Sequence, residues 1–345
     1  MLLNMDGVGQ YCSTEMTTTQ SNDKKGRWQT NHGKQLAQEV WRRLAGGESL
    51  RDLAIPEYEA RLDLRGISVP EVTKEELPPF RNWGLHKLHG PLEFRNVHFD
   101  GIDFTGSDLA HVQFFNSKIT ECRFDGALCG NWGVRAADII RTSFVDAKLR
   151  DAVLGPWYQG RGNRYQFVDF SRADMRGLIS TTATYVDCNF SHARLDKIDF
   201  QSSSFIRCRF AGEVREVLFY DNAFDPRKKE ANPMEDVDFS QAQLRWVAFR
   251  RLNLDRVRLP ENRDHLVLKN YPCVLRKALA AVKDDESLYG RGLTRVLGND
   301  LKWVGPNQQI GVLNRLDFLE VWGAEGEIFA VELLRRAEQE CLRLQ

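Results

Sequence analysis

From Phe94 to Leu154 an apolar side chain recurs on every fifth residue, and neither an α-helix nor a flat β-strand has that period. The series runs Phe94, Phe99, Phe104, Leu109, Phe114, Ile119, Phe124, Cys129, Val134, Ile139, Phe144, Leu149, Leu154. Two residues before each stands a second, usually smaller core residue, among them Val97, Ile102, Ser107, Cys122, Ala127, Trp132 and Ala147. A period of five requires the chain to turn a corner in every unit. Such a chain winds into a solenoid, and its function lies on a long repetitive surface rather than in a catalytic cleft.

Units such as Phe104-Thr105-Gly106-Ser107-Asp108-Leu109, Asp146-Ala147-Lys148-Leu149-Arg150 and Ser171-Arg172-Ala173-Asp174-Met175-Arg176 resemble the pentapeptide-repeat family. The resemblance implies a mainly β fold, a right-handed quadrilateral β-helix with four pentapeptides per coil. It also implies a non-enzymatic, protein-binding role. Quinolone-resistance members of that family protect type II topoisomerases through loops that project from the rod.

The repeat continues past Leu154 with breaks. Residues 155–164 are rich in turn formers, and the repeat resumes at Tyr165 one residue out of register, running on to Phe210. One residue is then lost, and Phe219, Phe224, Phe239, Leu244, Phe249, Leu254 and Leu259 return to the first frame. The polar stretch 225–238 preserves that frame, so it reads either as a projecting loop or as degenerate coil with Lys229 and Met234 at core positions. In all there are about 31 units, or roughly eight coils and a rod on the order of 35 to 40 Å long at ~4.8 Å per coil. Each buried Phe contributes roughly 1.5 to 3 kcal/mol, so the core needs neither metal nor disulfide.

Four regions follow: a disordered tail over 1–31, an N-terminal helix and capping segment over 32–91, the β-helix over 92–259, and an α-helical region over 260–345. Residues 35–44 carry helical spacing and stop at Gly46-Gly47; 62–69 fits the five-residue frame as a first partial coil. The stretch 70–91, with Pro78-Pro79 and Trp83, reads as an irregular end cover. After Pro260, helical patterns appear at 274–282, 293–303, 310–322 and 327–344. This last region caps the rod or, on the sharper reading, docks a partner or forms a homodimer.

Residues 92–259 hold 24 Lys plus Arg against 23 Asp plus Glu, a net of +1, which suits neither an imitation of DNA nor a nucleic-acid binder. Charge could still segregate by face, since Asp103, Asp108, Asp138, Asp169, Asp174 and Asp199 share one repeat position with Lys118, Arg123, Lys148, Arg194 and Arg209. No apolar run is long enough for a membrane span, and Cys122, Cys129, Cys188 and Cys208 sit at inward positions as free thiols would, so a cytoplasmic protein is expected, and the family resemblance implies a bacterial one. No metal or cofactor is expected: His86 and His89 lack a nearby acidic or Cys ligand, and Gly160-Arg161-Gly162 lacks the Lys-Ser/Thr of a phosphate loop. No general acid and base pair stands out, so the chain is expected not to be an enzyme.

The candidate partner-binding residues are Trp157, Tyr158, Arg161 and Arg164 at the first frame break and Arg227, Lys228 and Lys229 in the charged stretch, types that anchor protein interfaces. The leading specific partner is DNA gyrase or another type II topoisomerase, with antibiotic resistance or immunity as the outcome. The alternative is a scaffold or effector that docks through its helical C-terminal region, with the rod as spacer.

Overall fold

The computed structural model describes residues 24–70, 92–221 and 232–343. Its centre is a β-helix-like solenoid of short parallel strands, in which residues 20 apart lie side by side. Thus Phe94 pairs with Phe114 and Phe114 with Val134, while Phe99 pairs with Ile119 and Ile119 with Ile139. A pairing interval of 20 with a core residue every five gives four stacked columns of core side chains.

We number the columns by chain order from Phe94. Column I contains Phe94, Phe114, Val134, Leu154, Ser180, Phe200, Phe219 and Phe249; column II contains Phe99, Ile119, Ile139, Tyr165, Tyr185, Phe205 and Met234. Column III contains Leu64, Phe104, Phe124, Phe144, Phe170, Phe190, Phe210 and Phe239, and column IV runs from Leu109 to Leu244. In column III successive rings stack at 4.6 to 5.4 Å between centroids from Phe104 to Phe239. All of these rings are buried.

The corner of each unit is made two residues after the core residue, where the backbone enters the left-handed region. Asn96, Gly101, Gly106, His111, Asn116, Glu121, Gly126 and Asn131 follow one another there with φ between 48° and 67°. Glycine and asparagine tolerate that conformation best, which accounts for their frequency at this position. Corner side chains of successive coils also pair: Asn116 donates to Asn96 at 2.7 Å, and Arg172 and Arg207 bind Asp146 at 2.9 Å and Asp187 at 2.7 Å.

The register locates each frame break. Ile139 pairs with Tyr165, 26 positions on rather than 20, so the break at 155–164 inserts six residues. A five-residue frame cannot distinguish six from one, which is why the sequence showed a shift of one. Phe200 pairs with Phe219, 19 positions on, and the missing residue lies at Gly212, between Phe210 and Val214. Ile206 then bridges to Glu235, 29 positions on, and Met234 is fully buried in column II. The stretch that preserved the frame is therefore a ten-residue insertion whose far end re-enters the coil at Met234; Lys229 lies outside the described residues. Both insertions leave from column I and return to column II, at the same corner of the solenoid.

Each end is covered. The partial first coil over 62–69 pairs with the next through Leu62–Ile102 and Ser68–Asp108. Across it lies helix α1 (Asn31–Gly46), started by the Thr30 hydroxyl, which accepts from the Gly33 N–H at 3.0 Å, and ended by Gly47 in the left-handed conformation. Trp28 and Trp41 donate their indole N–H groups to Arg65 O at 2.9 Å and Ser68 O at 2.8 Å. Residues 24–29 are helical and Trp28 is buried, so the tail expected to reach residue 31 does not extend over them. The stretch expected as an irregular end cover falls at 71–91, outside the described residues, as do His86 and His89.

The C-terminal region comprises α2 (Tyr271–Ala281), α3 (Leu288–Trp303) and α4 (Arg315–Leu342), the last interrupted by the non-helical backbone of Gly323. Residues Ile310–Asn314, expected to be helical, form a strand antiparallel to His265–Lys269 instead. The two faces of the strand serve different cores, because Ile310 and Val312 pack against the solenoid while Leu313 packs against the helical cluster, and Asn314 reaches the last coil. That coil has no successor to pair with, and side chains take its place. The Leu244 N–H donates to His265 Nε2 at 3.0 Å, and the Leu244 carbonyl accepts from Asn314 at 2.7 Å. The Phe249 carbonyl accepts from Gln308 at 2.8 Å, and the Trp246 N–H donates to Asp317 at 2.8 Å. The Cys273–Cys341 disulfide ties α2 to the end of α4, a cross-link not expected from the sequence. Cys122, Cys129, Cys188 and Cys208 are free and buried.

Candidate interaction surface

The six-residue insertion is built from its return point. Asn163 is buried two residues before Tyr165, the position that elsewhere holds a small core residue. Its amide replaces backbone pairing: Oδ1 accepts from the Ala137 N–H at 2.9 Å, and Nδ2 donates to the Val134 and Leu154 carbonyls at 2.7 and 2.8 Å. Asn232 takes the accepting half of that role at the ten-residue insertion, its Oδ1 accepting from the Phe205 N–H at 3.1 Å and the Met234 N–H at 3.2 Å. An asparagine two residues before the first resumed core position is thus a signal present in the sequence that the five-residue pattern alone did not reveal. Gly162 lies so close to the next coil that a Cβ would stand 2.0 Å from the Thr182 carbonyl oxygen.

The four candidate residues of this loop take different roles. Arg161 is spent on anchoring: Nη1 binds Asp138 at 2.9 Å, its other amino group donates to the Ala136 carbonyl, and Tyr158 and Arg161 exchange backbone hydrogen bonds of 2.9 and 3.1 Å. Arg164 points to solvent from the following strand and donates to Gln166 at 2.8 Å. Tyr158 lays its ring edge against Phe115, 5.6 Å between centroids, and Trp157 beside it remains partly exposed. Arg227, Lys228 and Lys229 lie outside the described residues.

Beneath Tyr158 is a ladder that the sequence reading did not single out. Arg95, Phe115 and Arg135 are neighbours on three successive coils. The two guanidinium carbons lie 3.9 Å and 4.8 Å from the Phe115 ring centroid, a cation–π arrangement with the ring shared. Arg95 is also paired with Glu93 at 2.7 Å. Arg135 is buried, donates to Gln113 Oε1 at 3.0 Å, and has no carboxylate within ion-pair distance among the described residues. Burial pushes its guanidinium below the ordinary value. The discoverable signal was the interval of 20 separating Arg95, Phe115 and Arg135 at one repeat position.

Elsewhere charge is interleaved rather than segregated. Beside column III the outward position reads Asp63, Asp103, Arg123, Ser143, Asp169, Asn189, Arg209, Asp238 and Arg258 from coil to coil. Arg123 faces Asp103 at 3.5 Å, Arg258 faces Asp238 at 2.9 Å, and beside column IV Arg194 faces Asp174 at 3.8 Å. Neither of these ladders forms an acidic stripe. No metal-holding group of three or more His, Cys, Asp or Glu occurs among the described residues, and no described helix is long and apolar enough to cross a membrane.

A solenoid with a five-residue core period, a pairing interval of 20 and a left-handed corner in each unit defines a repeat protein of the pentapeptide class. The chain carries pentapeptide repeats: residues 93–128 match the family model for pentapeptide repeats in eight copies. No curated protein matches the chain. Among solved structures it is similar to a pentapeptide repeat protein, Rfr23, from the cyanobacterium Cyanothece 51142, at 14% identity over 41% of this chain and 83% of that one, TM-score 0.23. It is similar also to QnrB1, a plasmid-mediated fluoroquinolone resistance protein, at 14% identity over 55% and 93% of the two chains, TM-score 0.24. A pentapeptide repeat protein from the Arabidopsis thaliana thylakoid lumen is 23% identical over 33% and 66%, TM-score 0.13.

Proposed function

We propose that this protein is a non-enzymatic protein-binding solenoid, a right-handed four-sided rod whose specificity resides at the corner where both insertions leave the repeat. The observation that carries this reading is the fixed loop. Asn163 and Arg161 hold it rigidly, while Trp157 and Tyr158 stand partly exposed beside Arg95 and the charge of Arg135. Aromatic and arginine side chains on a rigid support are what protein interfaces use as anchors. The interleaved charges favour recognition by such a patch over imitation of a polyanion, so direct nucleic-acid binding is not part of the proposal.

Within that class, the specific partner we infer is DNA gyrase or another type II topoisomerase, with protection or immunity as the result. Support for it is the pentapeptide repeat together with a loop released from it. The test is a supercoiling assay with purified topoisomerase, with and without an inhibitor. Altered supercoiling or rescue at micromolar protein is expected; no effect at that concentration would remove topoisomerase from the proposal.

A second reading is favoured by apolar side chains left exposed on the C-terminal helices, Leu288, Leu319, Val321 and Ile328. On this reading the C-terminal region docks a partner or a second copy of the chain, with the rod as spacer. Deleting it is not a clean test, because His265, Gln308, Asn314 and Asp317 complete the last coil. Val321→Glu with Ile328→Glu is cleaner: loss of a dimer in light scattering would support this reading, and an unchanged monomer would refute the homodimer.

A further inference from the structure

Between the last coil and the C-terminal helices lies a cavity of about 340 Å³, within the size range of small-molecule sites. Val247 and Phe249 of the last coil, Val296 of α3, Val312 of the strand Ile310–Asn314 and Phe318 of α4 form its apolar walls. A recess of about 30 Å³ adjoins it and shares Phe249, Asp300 and Val312 with it. The recess is where the polar groups converge. Gln308 is buried, its Nε2 is committed to the Phe249 carbonyl at 2.8 Å, and its Oε1 has no hydrogen-bond partner among the described residues. Asp300 accepts from the Tyr271 hydroxyl through Oδ2 at 2.8 Å, which fixes the carboxylate at the boundary between cavity and recess.

We propose that this cavity is a binding site for a small apolar molecule that ends in a hydrogen-bond donor, an amine or a hydroxyl. The apolar body fills the main cavity, and the donor enters the recess between Gln308 Oε1 and Asp300. An unpaired buried acceptor costs roughly 1 to 3 kcal/mol, and a donor-bearing ligand removes that cost where an apolar one cannot. An anionic head would bring a third acceptor beside Gln308 Oε1 and Asp300, so it is expected to bind less tightly than a donor. Arg250 also lines the recess and stacks over Trp303 at 5.2 Å, so a neutral hydroxyl and a protonated amine are separate arms of the test. The site joins the rod to its C-terminal region, and occupancy would brace that joint independently of the loop surface.

The experiment titrates the full-length protein with four probes of one size: 2-phenylethylamine, 2-phenylethanol, ethylbenzene and phenylacetate. Methyl shifts of Val247, Val296 and Val312 report the site directly. Saturable binding of either donor-headed probe, at least about tenfold tighter than ethylbenzene and phenylacetate, is expected, about 1.4 kcal/mol per tenfold. Gln308→Leu is expected to abolish that tenfold preference while leaving ethylbenzene binding in place. Equal affinities for all four probes, a preference for phenylacetate, or no methyl shifts at millimolar probe would overturn the proposal. The wild-type titration decides the matter even if the variant does not fold.

Discussion

The indole of Trp41 lies parallel to the ring of Phe104, with 8° between their planes and 6.3 Å between centroids. A helical residue thus extends the longest aromatic stack of the solenoid, while its N–H binds the Ser68 carbonyl of the first partial coil. Solenoid ends expose a core cross-section and unpaired strand edges, and both invite end-to-end association.

Trp41→Ala should therefore cost about 3 to 5 kcal/mol, the usual range for removing a buried Trp. Thermal unfolding measures the loss, and size-exclusion chromatography should show concentration-dependent oligomers. A monomer of unchanged stability would mean that α1 does not close this end.

Asn163→Leu keeps the number and branching of the side-chain heavy atoms but leaves the Ala137 N–H and the Val134 carbonyl without their side-chain partner, while the Leu154 carbonyl keeps the Tyr165 hydroxyl at 2.8 Å. Each such group costs about 1 to 3 kcal/mol when buried unsatisfied. The variant should unfold at lower denaturant, and proteolysis should cut first within 155–164. Equal stability of Asn163→Leu and wild type would show that the loop is held by other means.

His265 sets a pH dependence at the other end. Its Nε2 accepts from the Leu244 N–H, and its Nδ1 lies 2.8 Å from Asn262 Oδ1, a geometry that requires the neutral ring. Burial lowers its pKa, opposed by the nearby Asp264. With the folded value below the unfolded value of about 6.5, the unfolded chain takes up the proton first as pH falls. This contribution is complete above pH 6.5 and declines as pH drops through and below it. Melting temperature measured from pH 8 to pH 5 should fall, and His265→Gln should flatten that slope; parallel slopes would contradict the assignment.

The Cys273–Cys341 disulfide closes a loop of 68 residues in sequence and joins α2 to α4. Reduction should cost the C-terminal region about 2 to 4 kcal/mol and leave the solenoid's own unfolding unchanged. Differential hydrogen exchange with and without reductant separates the two. Increased exchange across 94–219 as well would show that the two regions unfold as one.

Much of the solenoid was legible because its core is one residue deep: Phe104, Phe124 and Phe144 are both the sequence signal and the physical stack. The size of each insertion was not legible, since a period of five conserves only the remainder. The strand at Ile310–Asn314 was missed because its burial depends on Leu244 and Phe249, far away in sequence. At the candidate surface, Trp157 and Tyr158 stood out by type and by release from the repeat. Arg161 carried the same signal yet serves as an anchor, and Arg95, Phe115 and Arg135 become neighbours only when the chain is wound at 20 residues per coil.

The central claim is that partner recognition resides in the loop corner rather than in the charge of the rod. Quantitative affinity capture with the wild type and with a Trp157→Ala, Tyr158→Ala, Arg95→Gln triple variant tests it most directly, each confirmed folded by circular dichroism. The expected result is a specific partner held by the wild type and reduced at least about tenfold on the variant, the loss of more than one interface anchor. Equal capture of the same partner by both proteins would contradict the claim.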